Sequence, residues 1–121
     1  MAKPSPGPAV PRLLADIGGT NVRFALQTGD DAPSDIAVLA GDDFPDLAAA
    51  AHTYLDRARP MHPPRRAAMA VAAPVGGDMV ELTNRDWSFS IGGLKRRLGL
   101  DELHVINDFA AIALAIPELG D

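Results

Sequence analysis

Between Leu13 and Gln27 the chain runs Leu-Leu-Ala-Asp-Ile-Gly-Gly-Thr-Asn-Val-Arg-Phe-Ala-Leu-Gln. Two runs of strand length flank an adjacent pair of glycines. Val22, Phe24 and Leu26 alternate with Asn21, Arg23 and Ala25, the period of a strand with one buried face. A glycine pair between two such runs predicts a tight hairpin, because hairpin turns call for backbone at positive φ. A hairpin at this point commits the chain to a sheet that is antiparallel at its start. Everything downstream has to pack against it.

The downstream pattern predicts an α/β domain. A third strand is expected at Ile36–Ala40, between two turn-rich stretches. Leu47, Ala50, Ala51, Tyr54, Leu55 and Ala58 keep helical spacing, with Asp43 or Asp46 available as the cap. Arg57 and Arg59 fall in the expected last turn, and Pro60 stops it. Ala67–Ala73 is an apolar run read as a buried strand, although its Ala/Met composition leaves helix open. Pro74 and Gly76-Gly77-Asp78 make a turn before an extended Met79–Leu82. A short helix is expected from Ser90, with Ile91, Leu94 and Leu98 on one face and Gly99 after its end. Leu103–Ile106 reads as a strand, and Phe109–Ile116 as a helix ended by Pro117.

Composition limits the function classes. Eleven Lys and Arg against sixteen Asp and Glu give a formal charge of −5, so neither a nucleic-acid footprint nor a polybasic membrane patch is expected. The absence of cysteine excludes disulfides, Cys-ligated zinc and thiol chemistry. The longest apolar runs, Ala67–Ala73 and Phe109–Ile116, fall far short of the roughly eighteen residues a membrane helix needs. Residues 1–11 hold four of the eleven prolines and no periodic pattern, so they read as a disordered tail with the folded unit spanning 12–121. That tail has no apolar stretch of the kind a secretory signal carries, and the expected location is cytoplasmic.

Three segments carry candidate chemistry. In Asp16-Ile17-Gly18-Gly19-Thr20-Asn21 the paired glycines let backbone N–H groups come close to an anion, and Thr20 adds a hydroxyl. Asp16 can face the same point and hold a hydrated Mg²⁺, since a carboxylate beside a phosphate calls for a cation between them. An ordinary hairpin with a solvated Asp fits the same spacing. Neither the dinucleotide G-x-G-x-x-G nor the Walker G-x-x-x-x-G-K-[ST] pattern occurs. In Val105-Ile106-Asn107-Asp108-Phe109 a strand end delivers two polar side chains just before a helix, the place where open α/β sheets bind ligands. Asp108 there can accept a hydroxyl proton, or it can simply cap the helix that follows. Leu82–Phe89 mixes polar residues with the only Trp, as a loop walling a sugar pocket or as a loop pinned by a buried Trp. His52 and His62 read as surface residues. The acidic residues between Asp30 and Asp46 read as solvated turns without calcium spacing.

Taken in order, Leu14–Leu26 (LADIGGTNVRFAL), Ala70–Pro74 (AVAAP), Leu82–Ser90 (LTNRDWSFS) and Val105–Pro117 (VINDFAAIALAIP) resemble the N-terminal lobe of bacterial glucokinases. That family lies in the superfamily of hexokinase, actin and the Hsp70 ATPase. The resemblance implies a ribonuclease H-like mixed sheet with flanking helices, forming one lobe of a two-lobe kinase. It implies ATP-dependent phosphorylation of glucose to glucose 6-phosphate, at the entry to glycolysis, with Mg²⁺. Residue by residue it makes Ala15, Asp16, Ile17, Gly18, Gly19 and Thr20 the first phosphate loop, with Ala15 where Gly is common. It makes Asn107 and Asp108 glucose ligands, and Asp108 the base for the sugar 6-hydroxyl.

The same resemblance implies a larger second lobe beyond Asp121, so the 121 residues are expected to be an incomplete lobe without turnover alone. An uncovered apolar face is then expected to favour self-association, whether a homodimer or non-specific contact. Two other readings stand beside it: a different sugar kinase of the superfamily, and a non-catalytic interaction module built on the lobe.

Overall fold

The computed structural model describes residues 10–18, 20–60, 62–71, 77–82 and 87–106. Among these the chain forms β1 (Arg12–Ile17), β2 (Asn21–Gln27), β3 (Ser34–Ala40), α1 (Leu47–Ala58), β4 (Arg66–Val71), β5 (Met79–Glu81), β6 (Ser88–Ser90), α2 (Ile91–Arg97) and β7 (Glu102–Ile106). The five-stranded sheet has the order β3-β2-β1-β4-β7. β1, β2 and β3 form an antiparallel meander, with Ile17 opposite Val22 and Val22 opposite Leu39. β4 then pairs parallel with β1, and β7 parallel with β4. The expected mixed α/β sheet with an antiparallel start is therefore observed. The helix expected at 109–116 lies outside the described residues.

Alternation decides the faces. Leu13, Ala15 and Ile17 of β1, Val22, Phe24 and Leu26 of β2, and Ala67, Met69 and Val71 of β4 enter one core with α1 and Leu94 of α2. The intervening residues Leu14 and Ala25 form a second, smaller cluster with Ala68 on the reverse face. β4 settles the Ala/Met ambiguity. Alanine is a poor strand former by propensity, but β4 is hydrogen-bonded on both sides, and tertiary context overrides that preference. Small side chains also serve α1, whose Ala48, Ala50 and Ala51 are buried and bring the helix close to the sheet.

Tyr54 fixes the register of α1 on the meander. Its ring stacks on Phe24 with centroids 5.0 Å apart, and its hydroxyl donates to Asp35 O at 2.6 Å. Asp35 sits at φ 53°, which turns the start of the edge strand. β3 accordingly begins at Ser34, two residues before the expected Ile36.

Several boundaries differ from the sequence expectation. Asp46, not Asp43, caps α1, accepting from Ala49 N at 2.8 Å. Arg59 is not in the last turn: α1 ends at Ala58, and Arg59 leaves through the left-handed region at φ 48° because Pro60 bars the α conformation before it. Ser88 and Phe89 belong to strand β6 rather than to a loop, a pairing too short to leave a period in the sequence. Pro11 is buried, so the packed chain reaches back one residue beyond Arg12. His62 is half-buried, with Nε2 enclosed and unpartnered, rather than a surface residue.

α2 carries Gly92 and Gly93 in its first turn, which disfavour helix, and a cap offsets that. Ser90 Oγ accepts from Gly93 N at 3.0 Å, while the Asp78 carboxylate takes the Ser90 hydroxyl and Gly92 N. Those donors, Ser90 first, hold the Asp78 carboxyl below the usual carboxylate range. Gly99, at φ 68°, follows the helix as its spacing implied.

Burial, with the Asp35 charge nearby, pushes the Tyr54 phenol up to about 12. The native state thus holds that proton more tightly than the unfolded chain does. The stability it contributes is complete below pH about 10 and is lost as pH rises toward 12. Tyr54 is the only tyrosine, so phenolate absorbance is expected to appear near pH 12 in the folded chain and near 10 in denaturant. At Asp46, burial alone would raise the carboxyl, but the Ala49 N–H and the Arg97 guanidinium together hold it low. Asp46→Ala is expected to cost about 1 kcal/mol in urea unfolding at neutral pH. The difference should shrink as pH falls through the lowered carboxyl range, where the native chain also loses the charge.

Candidate functional site

The turn after β1 is closed from within, Gly18 N donating to Asn21 O at 2.9 Å. Gly18 does not occupy positive φ, the reason the sequence suggested for glycine here. Its need is steric: a Cβ at Gly18 would stand 3.3 Å from that same Asn21 O. Asn21 O is backbone, tied into the start of β2, and has little room to retreat. The Gly18 N–H is therefore spent inside the turn, and any anion contact falls to the tip. Thr20 at that tip is exposed, and its carbonyl accepts from Gly41 N at 2.9 Å. Gly19 lies outside the described residues.

Of the other expected phosphate-loop residues, Ala15 and Ile17 turn their side chains into the core and are 3% and 1% exposed. They can contribute only through the backbone. Asp16 faces the opposite way and is half-buried. Arg23 stands across from it on β2 in direct register.

Parallel pairing extends that position across the sheet. Asp16 is in register with Ala70, and Ala70 with Ile106. The three lie in one row on one face at the C-terminal ends of their strands. Two strand spacings separate Asp16 from Ile106, about 10 Å. The residue between them, Ala70, is small and only 4% exposed. Asn107 and Asp108 follow Ile106 directly in the sequence and lie outside the described residues.

Trp87 is 6% exposed, and its Nε1 donates to Phe44 O at 3.4 Å. Its indole is thereby tied to the β3–α1 connection, and residues 83–86 lie outside the described residues. His52 is exposed. Among the described residues no three His, Asp or Glu side chains stand together as a metal set. A single carboxylate at a strand end does fit Mg²⁺, which binds through one or two carboxylates, waters and substrate phosphates. A depression of about 640 Å³ bounded by Leu55, Asp56, Arg59 and three prolines lies elsewhere. It sits where α1 ends and the chain approaches β4, the end of the sheet away from Gly18. Sequence reasoning missed Gly41: a Gly-Asp-Asp between strand and helix carries only a turn signal.

The rigidity of the turn is testable. Gly18→Ala is expected to lower unfolding stability by about 1 kcal/mol, as a small overpacking does where backbone cannot yield. A urea midpoint equal to that of the parent would show that Asn21 gives way.

The glucokinase family profile matches residues 13–121. The glucokinase of Ralstonia nicotianae is 49% identical over 115 residues, covering 93% of this chain and 34% of that protein. The bifunctional protein glk of Burkholderia orbicola is 50% identical over 111 residues, covering 92% of this chain and 17% of that protein. Among solved structures, glucokinase from an Antarctic psychrotroph superposes with a TM-score of 0.79 at 42% identity, covering 88% of this chain and 35% of that one. The chain thus spans about a third or less of the length of these relatives. With a sheet of this order and a profile match over nearly its whole length, the chain belongs to the glucokinase family.

Proposed function

We propose that residues 12–121 supply one wall of the cleft in which a hexose kinase transfers the γ-phosphoryl group of ATP to glucose. The observation that supports this is the row Asp16–Ala70–Ile106, which brings the C-terminal ends of β1, β4 and β7 together, with Asn107-Asp108 next in the sequence after Ile106.

In this reading the tip of the turn, at Gly19 and Thr20, presents backbone N–H groups and a hydroxyl to the phosphates of ATP. Ala15, Asp16, Ile17 and Gly18 hold that tip. Asp16 holds Mg²⁺ through water, and the ion when bound offsets charge on the phosphate oxygens. Asn107 hydrogen-bonds a glucose hydroxyl and orients the sugar. Asp108 accepts the proton of the 6-hydroxyl as that oxygen bonds to the γ-phosphorus and the bond from phosphorus to the bridging oxygen of ADP breaks. The transition state is loose, so the proton leaves late and the carboxylate chiefly orients the nucleophile. It needs no raised pKa for that task.

A single wall neither excludes water nor fixes both reactants, and catalysis of this class depends on both. The purified 121-residue chain is accordingly expected to form no measurable glucose 6-phosphate from ATP and glucose. In a protein extended to the length of the glucokinase relatives, Asp108→Ala is expected to lower turnover by about a thousandfold with the fold intact. Near-parental rates in that variant, measured by a coupled assay, would return Asp108 to a capping role.

A further inference from the structure

The connection between β3 and α1, Gly41–Asp46, is short, yet it bonds to four separate parts of the molecule. Gly41 N donates to Thr20 O at the hairpin tip. Phe44 O receives Trp87 Nε1 at the entry to β6. Asp46 Oδ1 accepts from Ala49 N in α1, and Asp46 Oδ2 from Arg97 of α2 at 3.0 Å. Its first three residues form a 3-10 turn closed by Phe44 N donating to Gly41 O at 3.1 Å. Gly41 is buried while Thr20 is exposed.

The tip between β1 and β2 is thus held from two sides. Gly18 N closes it from within, and Gly41 N anchors it from outside. The Thr20 carbonyl belongs to the peptide that leads into Asn21, opposite Ala40 at the end of β3. Fixing that carbonyl fixes the Thr20 backbone, from which its hydroxyl projects. An exposed hairpin tip with only its own closing bond opens locally at small cost. A tip ordered in advance spares a ligand that ordering cost when it binds.

We propose that Gly41 is a positioning residue for the phosphate turn: its N–H holds Thr20 ready for the triphosphate without touching it. The inference rests on the reading of the turn as a phosphate site.

The backbone offers a narrow test. Ala40 lies at φ −74° and ψ 122°, the extended region that a residue before proline adopts. Gly41 is the first residue of its turn, where proline is tolerated. Gly41→Pro therefore removes the N–H and keeps the carbonyl that closes the turn. The readout is a titration of the ¹⁵N-labelled chain with MgATP, followed at the amides of residues 16–20. In the parent these amides are expected to shift. In Gly41→Pro the apparent binding read from them should weaken about fivefold, the factor one neutral hydrogen bond carries. Far-ultraviolet circular dichroism and Trp87 emission should stay parental.

Equal binding by parent and variant would overturn the role of Gly41 and leave the phosphate reading standing. A parent whose hairpin amides do not move would overturn the phosphate reading, and this inference with it. Should the variant fail to fold, amide exchange in the parent decides. Slowing of Gly41 exchange by MgATP, in step with the hairpin shifts, supports the role. Exchange at Gly41 that MgATP leaves unchanged overturns it.

Discussion

Parallel pairing of β1 with β4, and of β4 with β7, brings three strand ends to one edge of the sheet. The antiparallel meander alone would put the glycine turn at the tip of a ribbon with nothing beside it. Adding β4 and β7 on the other side of β1 turns that tip into one end of a row. Parallel neighbours need a crossover connection, and α1 and α2 supply the helical part of each. Both helices join the core of one sheet face, which leaves the opposite face to carry Asp16. The direction of three strands therefore decides which residues can meet a ligand together.

Much of this was legible from residues. The alternation in β2 indicated which of its side chains enter the main core, Val22, Phe24 and Leu26, although Ala25 and Gln27 on the other face are buried as well. The helix with Tyr54 and Leu55 kept its spacing and its acidic cap. The reason for Gly18 was not legible, because the sequence cannot distinguish a glycine that needs positive φ from one that needs room for a neighbour's carbonyl. Strand β6 was not legible either: three residues hold no measurable period, and Ser88–Ser90 is a strand only because Met79–Glu81 lies beside it. The partner of Thr20 was hidden for a similar reason. Gly41 is twenty-one positions away in the chain, and only the register of β2 against β3 brings the two together.

Alanine recurs where the architecture requires little volume. Ala67 in the core lies along β4 beside Leu13, and Ala70 on the reverse face separates Asp16 from Ile106. A larger side chain at Ala70 would stand in the row between the carboxylate and the end of β7. Low β propensity at such positions is a local conflict with the strand. The pairing on both flanks overrides it.

The accounting of backbone donors sharpens what the hairpin can do. A glycine pair suggests two N–H groups offered to an anion, but Gly18 spends its own on Asn21. The turn then acts less as a cradle than as a rigid post, closed below by one hydrogen bond and braced from the side by another. Rigidity is what transfer chemistry of this class demands, since the protein's contribution to a loose transition state is position and electrostatics rather than covalent bonding. A donor group that had to be ordered on each encounter would take the ordering cost out of binding. The same short connection that braces the turn also receives Trp87 and anchors both helices. Displacement of the tip relative to the core would therefore have to break the Gly41–Thr20 bond or drag a connection that is tied to three other elements.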